Sequence, residues 1–481
     1  MCGTRKSCFY LNGEISTNVL TPRLRFVEDH GSRTVTETEM RAKKLVHEGS
    51  TIHKEKPFVY VLSSKVRTEY CDFCMKKGKF LKCSGCHYVY YCGKICQKDA
   101  WNVHKFECRN LKRIAPRTLP DAARLLARLI HILRKGGDLT KSYYLENCFR
   151  MYKDLMSHYP NIKGDQQRME HFTSLCAVLF DFLGDDSLPN SAELMGMYGR
   201  MCINSFNIID QELQCLGTGM YLGASVIDHS CNPNAVAIFE GPILHIRALK
   251  TLQYLDWSEI RISYIDVLNT TKDRQKELEA AYYFLCQCPR CLAPEPPEIN
   301  AAACPNDQCD NYIDAESASA DDKCGKCGAA ITENFLELFK QVIEFTDIHL
   351  QNMKQLAYFD VCEICLQKQR GVLHKFNIKH VKTLDLAFQS SIDFQKWDFA
   401  RTYALELVDA FHKYYGQMHP ITGLLHLKLG KILVFEEKDA FAFDHLTKAY
   451  QILKITHGVN STIFKEELIP LLQQTRMTVP R

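Results

Sequence analysis

The sequence predicts an α+β protein with a β-rich core, a dense zinc module and a long helical C-terminal region. Three observations predict it. Eight metal-type ligands fall within residues 71–108. Short β-branched runs divided by turn residues gather in 216–266. From Thr332 onward the apolar residues recur at helical spacing. The 481 residues, 46% hydrophobic, suffice for two to four domains with substantial cores.

The zinc module comes first because its spacing is the most specific signal. Cys71, Cys74, Cys83, Cys86, Cys92, Cys96, His104 and Cys108 read C-x2-C-x8-C-x2-C-x5-C-x3-C-x7-H-x3-C. A structural zinc closes with four soft or borderline ligands in a tetrahedron, so eight ligands predict two ions. Cys92/Cys96 and His104/Cys108 have the spacing that puts two ligands on one helix face. The economical pairing is interleaved: Cys71, Cys74, Cys92 and Cys96 on one ion, Cys83, Cys86, His104 and Cys108 on the other. Met1 to Val19 lacks a basic flank leading into an apolar stretch, so no export signal is expected. The 23 cysteines are then better read as reduced thiols and metal ligands than as disulfides.

Charge and hydropathy narrow the function classes. Sixty Lys/Arg against 56 Asp/Glu leave a net charge of +4, too small for wholesale nucleic-acid binding. The basic residues of 76–117, among them Lys76, Lys77, Lys79, Arg109 and Arg113, would suit an acidic partner or a solvated surface. No run of about 18 apolar residues suggests a membrane span.

Along the chain, residues 1–66 mix polar runs with β-type segments, the clearest being Pro57–Ser63. From Pro120 to about Asn207 the pattern is helical, with Ala122, Leu125, Leu126, Leu129 and Ile130 on one face. The runs VAIF, ILHIRAL and IRISYI follow as strands. A second cysteine cluster, Cys286, Cys288 and Cys291, supplies only three ligands. Cys304, Cys309, Cys324 and Cys327 make a further four-cysteine set of zinc-ribbon type, with Gly325 and Gly328 suited to a tight knuckle. Cys362 and Cys365 read as core cysteines in a helix. In the helical tail, Ala400/Tyr403/Ala404 and Ala442/Ala449, separated by Leu424–Leu433, resemble tetratricopeptide-like hairpins of imperfect period.

Asp228-His229-Ser230-Cys231-Asn232-Pro233-Asn234 resembles the N-H-S-C-x-P-N motif of SET-domain lysine methyltransferases. Arg261-Ile262-Ser263-Tyr264-Ile265-Asp266 resembles that family's strand ending in a catalytic tyrosine, and Met40-Arg41-Ala42 its L-R-A segment. Together with the zinc module, the chain resembles the SET and MYND domain-containing family of protein lysine N-methyltransferases.

The resemblance implies a SET core split by the MYND finger and a helical insert. Its parts would be the first piece of SET in 1–66, MYND in 67–112, insert in 113–205, SET core in 206–272, post-SET and extra ribbon in 273–330, and the tetratricopeptide-like domain in 331–481. It implies S-adenosylmethionine and three structural zinc ions as cofactors; the four-cysteine ribbon, an addition to the family's plan, would hold a fourth. Cys231 would complete the Cys286/Cys288/Cys291 site. Tyr264 and Phe206 would serve catalysis. Asn204, Asp228, His229, Tyr264 and Phe284 would hold the cofactor, with Tyr282 or Phe284 walling the lysine channel and Tyr152 near the cofactor. The partners implied are a histone or cytosolic protein bearing the lysine, with peptides at the MYND groove and helical domain. A monomer, cytoplasmic and nuclear, is expected, binding neither nucleic acid nor membrane.

The sequence also departs from the family. Thr36-Glu37-Thr38-Glu39 stands where a Gly-rich cofactor turn precedes L-R-A, and Gly31 fits that place poorly. Asp228 replaces an asparagine and, ionised, only accepts hydrogen bonds. Trp257-Ser258 replaces Gly-Glu, an alteration expected to change a turn more than the chemistry. The competing reading is therefore a catalytically weak SET/MYND zinc scaffold that mediates protein–protein interactions in transcriptional regulation.

Overall fold

The computed structural model describes residues 41–42, 45–184, 187–353 and 358–478. Gly31, Thr36–Glu39, where the cofactor turn was expected, and Met40 of the L-R-A-like segment lie outside them. The described residues form two compact units. One comprises those up to Ile262 together with Leu278–Leu285; the other comprises those of Ser263–Glu277 and Cys286–Arg481.

The first unit is built on two small antiparallel sheets. Val59–Leu62 pairs with Cys215–Met220, which also pairs with Ser205–Ile209. Thr51–Glu55 pairs with Ile243–Ala248, which forms a hairpin with Ala235–Glu240. Strands from before the zinc module thus bond to strands from well after it. Within Pro57–Ser63 only Val59–Leu62 is strand, and it is almost wholly buried, as its β-branched and apolar residues favour. The two-residue strand Arg41–Ala42 pairs with Asp256 and Leu255.

Between the halves of this core lie the zinc module and the helices Asp121–Arg134, Gln166–Leu183 and Ser191–Asn204. Asp165 and Asn190 cap the last two, accepting bonds from the Arg168 and Glu193 amides. Every residue of Asp121–Arg134 from Ala122 to Ile130 is buried, two arginines included. Asp121 fastens the helix start to the strand end by accepting Ser63 Oγ and Ser64 N, each at 2.9 Å.

Two expectations for this unit need adjustment. The run IRISYI forms strand only at Arg261–Ile262, because Ser263 Oγ turns back to donate to the Ile265 carbonyl. Trp257 is more than a turn residue: it is fully buried, edge-on to His53 at 5.5 Å and Tyr144 at 5.1 Å. The neighbouring turn is held by Asp256, whose Oδ1 accepts both Ser258 N and Ser258 Oγ.

In the second unit, the strands Ala302–Ala303 and Tyr312–Ile313 pair within the cysteine-rich loop. Helices follow over Glu333–Met353, Phe359–Gln369, Ile378–Asp393, Trp397–Tyr415, Pro420–Phe435, Asp439–Thr456 and Ile469–Thr478. Successive members pack as hairpins. Pro420–Phe435 is buried nearly all round. A Cβ on its Gly430 would sit 2.6 Å from Leu446, so the small residue permits close packing on Asp439–Thr456. Ala400, Tyr403, Ala404, Ala442 and Ala449 are all buried, as are Cys362 and Cys365.

Candidate metal centres and transfer site

Three cysteine knuckles share one local geometry. In Cys71–Met75, Cys83–His87 and Cys324–Gly328, the amide of the fifth residue donates to the carbonyl of the first at 2.9 Å. That fifth residue is left-handed each time: Met75 at φ 54°, His87 at 54° and Gly328 at 73°. Gly328 adopts this turn without strain, whereas Met75 and His87 hold it against a Cβ penalty. Gly325 is not among the positive-φ glycines. The turn exposes inner amides to the sulfurs. Hydrogen bonding from the Cys74 thiol, joined by knuckle amides, lowers Cys71 to about 5 against its burial. The amides of Cys327 and Lys326 lower Cys324 to about 6. Thiolate is the form a metal takes.

The knuckles and the helix Lys94–Ile114 gather the ligand atoms. Those of Cys71, Cys74, Cys92 and Cys96 lie within 4.8 Å of one another, as do those of Cys83, Cys86, His104 and Cys108. Cys74–Cys92 and Cys83–Cys108 sulfurs are 3.7 and 3.8 Å apart, close to the roughly 3.8 Å between thiolates on a tetrahedral zinc with bonds of about 2.3 Å. In the second unit Cys304, Cys309, Cys324 and Cys327 form a further group within 4.8 Å. Cys286, Cys288 and Cys291 also sit within that distance of each other.

Behind the second group is a buried charge cluster. His104 turns Nε2 toward Cys86 Sγ and Nδ1 toward Glu107 Oε1, 3.1 Å away. A carboxylate behind a metal-facing imidazole fixes its tautomer and orientation. Glu107 also accepts from Arg124 and Arg128, and both arginines reach Asp72, beside ligand Cys71. Burial would raise Glu107, but the two guanidinium groups hold it well below the usual carboxylate range. Arg128 further donates to the Tyr60 carbonyl on Val59–Leu62, and the Tyr60 hydroxyl donates to Phe73 O. Two arginines and two carboxylates thus balance in charge while tying both metal groups to the sheet. Sequence reasoning missed this quartet. Its trace was Arg124 and Arg128 standing four apart inside an apolar helical face.

Gly241, at the tip of the hairpin Ala235–Ala248, bears on the first knuckle. It has φ 58°, and a Cβ there would lie 2.4 Å from the Cys74 carbonyl oxygen. Only glycine meets both demands.

The second motif is positioned by a parallel pairing. Asp228–His229 lies beside Arg261–Ile262, and the Ser230 amide donates to the Ile262 carbonyl. Asn234, closing the motif, accepts the Arg261 amide at 2.7 Å and donates to the Glu259 carbonyl. His229 is buried, its Nε2 3.2 Å from Cys231 Sγ, and its ring is 6.1 Å from that of Phe284. Asp228 is exposed. Asn204 donates Nδ2 to the carbonyls of Met156 and Arg200, leaving Oδ1 as an acceptor. Phe206 packs edge-on against Tyr221 at 5.5 Å. Tyr152 is buried and stacks on Phe58. Tyr264 stands two residues beyond Ile262, in the second unit, half-buried.

Glu55 is another residue that sequence reasoning passed over. It accepts the amides of Gly223 and Ala224 at 2.9 and 2.8 Å, and also Ser142 Oγ and the His53 ring. Burial alone would raise its carboxyl, but these bonds lower it. It thereby fixes the turn that leads into Asp228–Cys231. The signal was faint: two polar residues, His53 and Glu55, on the inward face of a strand.

Residues 71–108 match the family described as the MYND finger. Over 443 residues the chain is 29% identical to the histone-lysine N-methyltransferase SMYD3 of Mus musculus, spanning 90% of this chain and 94% of that protein. It is 29% identical over 444 residues to the histone-lysine N-methyltransferase ASHR1 of Arabidopsis thaliana, spanning 89% and 91%. It is 28% identical over 404 residues to the N-lysine methyltransferase SMYD2-A of Xenopus laevis, spanning 83% and 88%.

Proposed function

We propose that this chain is a member of the SET and MYND domain-containing family and a protein lysine N-methyltransferase dependent on S-adenosylmethionine, a reading supported by the MYND match and the similar proteins. The observation that carries this reading is the parallel pairing of Asp228–His229 with Arg261–Ile262, which sets the start of the Asp228–Asn234 motif beside the strand leading to Tyr264. The residues around it suit the cofactor. Asn204 Oδ1 offers an acceptor for an exocyclic adenine amine, and the Phe284 ring beside His229 offers a face for a purine. Asp228 would accept from the cofactor's ammonium, which suits a carboxylate as well as an amide.

Bound S-adenosylmethionine would supply a sulfonium methyl to a neutral amine, the N–C bond forming as the C–S bond breaks, with a neutral thioether leaving and the positive charge passing to nitrogen. A free lysine has a pKa of about 10.4, so the chain's task is to favour the neutral amine and to aim it. Aromatic walls from Phe206 and Tyr282 or Phe284 disfavour the ammonium. The Tyr264 hydroxyl accepts a hydrogen bond from the amine and holds its lone pair in line with the methyl, so the rate gain is mainly positional. Histones are one substrate class and cytosolic proteins another, in a protein acting in the nucleus and the cytoplasm.

Zinc is structural in this reading. Cys231 joins Cys286, Cys288 and Cys291 around a third ion, clamping the chain that follows Phe284. The two MYND groups and the ribbon bring the total to four. The MYND groove and the helical domain would dock protein partners.

Calorimetric titration of zinc-replete protein tests the cofactor assignment, with binding expected below millimolar. Tyr264→Phe should cut lysine methylation by at least about 100-fold while leaving cofactor affinity nearly unchanged. Full activity in that variant removes Tyr264 from the transfer site. Absence of cofactor binding leaves the zinc scaffold as the function.

A further inference from the structure

The segment that presents Phe284 holds an unusual turn. The helix Thr271–Tyr282 ends at Tyr283, whose amide donates to the Glu279 carbonyl at 2.9 Å. Tyr283 lies in the left-handed region at φ 61°, where a helix-ending residue is usually glycine. A bulky side chain there is strained, and such strain persists only where surrounding contacts over-determine it.

Those contacts come from the helical insert. Tyr283 Oη donates to Asp165 Oδ2 at 3.1 Å. The other oxygen of Asp165 caps the helix Gln166–Leu183 by accepting the Arg168 amide. Arg168 Nη2 returns to donate to the Ala281 carbonyl at 3.2 Å. The Tyr283 ring also lies 5.6 Å from that of His158, itself left-handed at φ 47°. One helix start thus grips both the backbone and the side chain of the turn. Tyr282 and Phe284 flank the gripped residue, with rings 6.5 Å apart, and Phe284 faces His229 at 6.1 Å.

We infer that Tyr283 is a positioning residue for the cofactor: its hydroxyl, latched on Asp165, holds the left-handed turn that presents Phe284 beside His229. It touches no reacting atom and acts through Phe284. The inference rests on the reading of Phe284 as a cofactor residue. It assigns to the helical insert a part in cofactor affinity, since Asp165, Arg168 and His158, which grip the turn, all belong to that insert.

S-adenosylhomocysteine binding, measured by calorimetry on the full zinc-replete chain, tests it. Tyr283→Phe keeps the ring and loses the donor. A hydrogen bond to a charged acceptor is worth enough to predict about tenfold weaker binding. The loss should fall on the cofactor's dissociation constant and KM rather than on kcat at saturating cofactor, a split that general destabilisation would not give. Asp165→Asn keeps the helix cap but offers a neutral partner, so its loss should be smaller. Tyr283→Phe/Asp165→Asn should bind no more weakly than Tyr283→Phe alone. Unchanged affinity in Tyr283→Phe, or additive losses in the double variant, overturns the latch while the proposed function stands. If the unaltered chain binds no S-adenosylhomocysteine, both fall.

Discussion

Two of the four-ligand groups differ sharply in how they are built. Cys83, Cys86, His104 and Cys108 are all buried, the last two on a helix whose inward stripe also carries Glu107, and Arg124 and Arg128 back that carboxylate. Cys304, Cys309, Cys324 and Cys327 sit in a short loop, with Cys327 exposed and Cys309 only half-buried. Their nearby ion pair, Lys326 with Asp310, is open to solvent. The same chemistry is a core element in one place and a surface clip in the other. Ligand count alone does not say which; the charged groups packed behind the ligands do.

The largest effect expected from this contrast follows loss of the buried site. His104→Ala should remove one zinc, measured by metal mass spectrometry, and much of an ion contribution of about 10–16 kcal/mol. The finger and the helix packed on it should lose their structure, seen as lost amide-exchange protection across 71–134. Retained protection there would mean that the site is as peripheral as the ribbon.

Next in size is Glu107→Ala. It leaves two buried guanidinium groups sharing the single carboxylate of Asp72, and breaking such a buried network usually costs about 3–5 kcal/mol. Chemical denaturation measures it. A loss under about 1 kcal/mol would mean that Arg124 and Arg128 reach water once the carboxylate is gone, and that the metal group stands without its support.

The smallest global effect belongs to Cys327→Ser. One zinc should be lost, with exchange protection falling chiefly in about 302–331, because Cys327 and its neighbours Gly325, Lys326 and Gly328 are exposed while Cys304 and Cys324 keep their buried packing. A collapse reaching the helices beyond Glu333 would show that the clip carries the second unit.

Much of the fold was legible because its signals are local. Knuckle ligands stand a few residues apart, and Ala122, Leu125, Leu126 and Leu129 mark one helix by period alone. The residues around the candidate site were harder. Glu107, Arg124, Arg128 and Asp72 come from three separate segments, and only burial reveals that they meet. Trp257 read as a turn substitution because nothing in its neighbours announces the space between His53 and Tyr144 that its indole fills. Tyr283, between Tyr282 and Phe284, drew no notice in the sequence; its backbone conformation, not its type, distinguishes it. The motif at Asp228–Asn234 was recognisable by resemblance, but the work of Asn234 in gripping Arg261 and Glu259 emerged only from the pairing.

The pairing of Leu62 with Gly217 carries a kinetic consequence. Before that sheet can form, the chain must bring together ends separated by the whole finger and insert, and closure entropy grows with the length of flexible chain between them. Topologies dominated by such distant pairings fold slowly. Metal capture within 71–108 and helix formation beyond Asp121 draw in the intervening chain without waiting for the sheet. The finger is in this sense a splint set during folding, which shortens the search that the β core must complete.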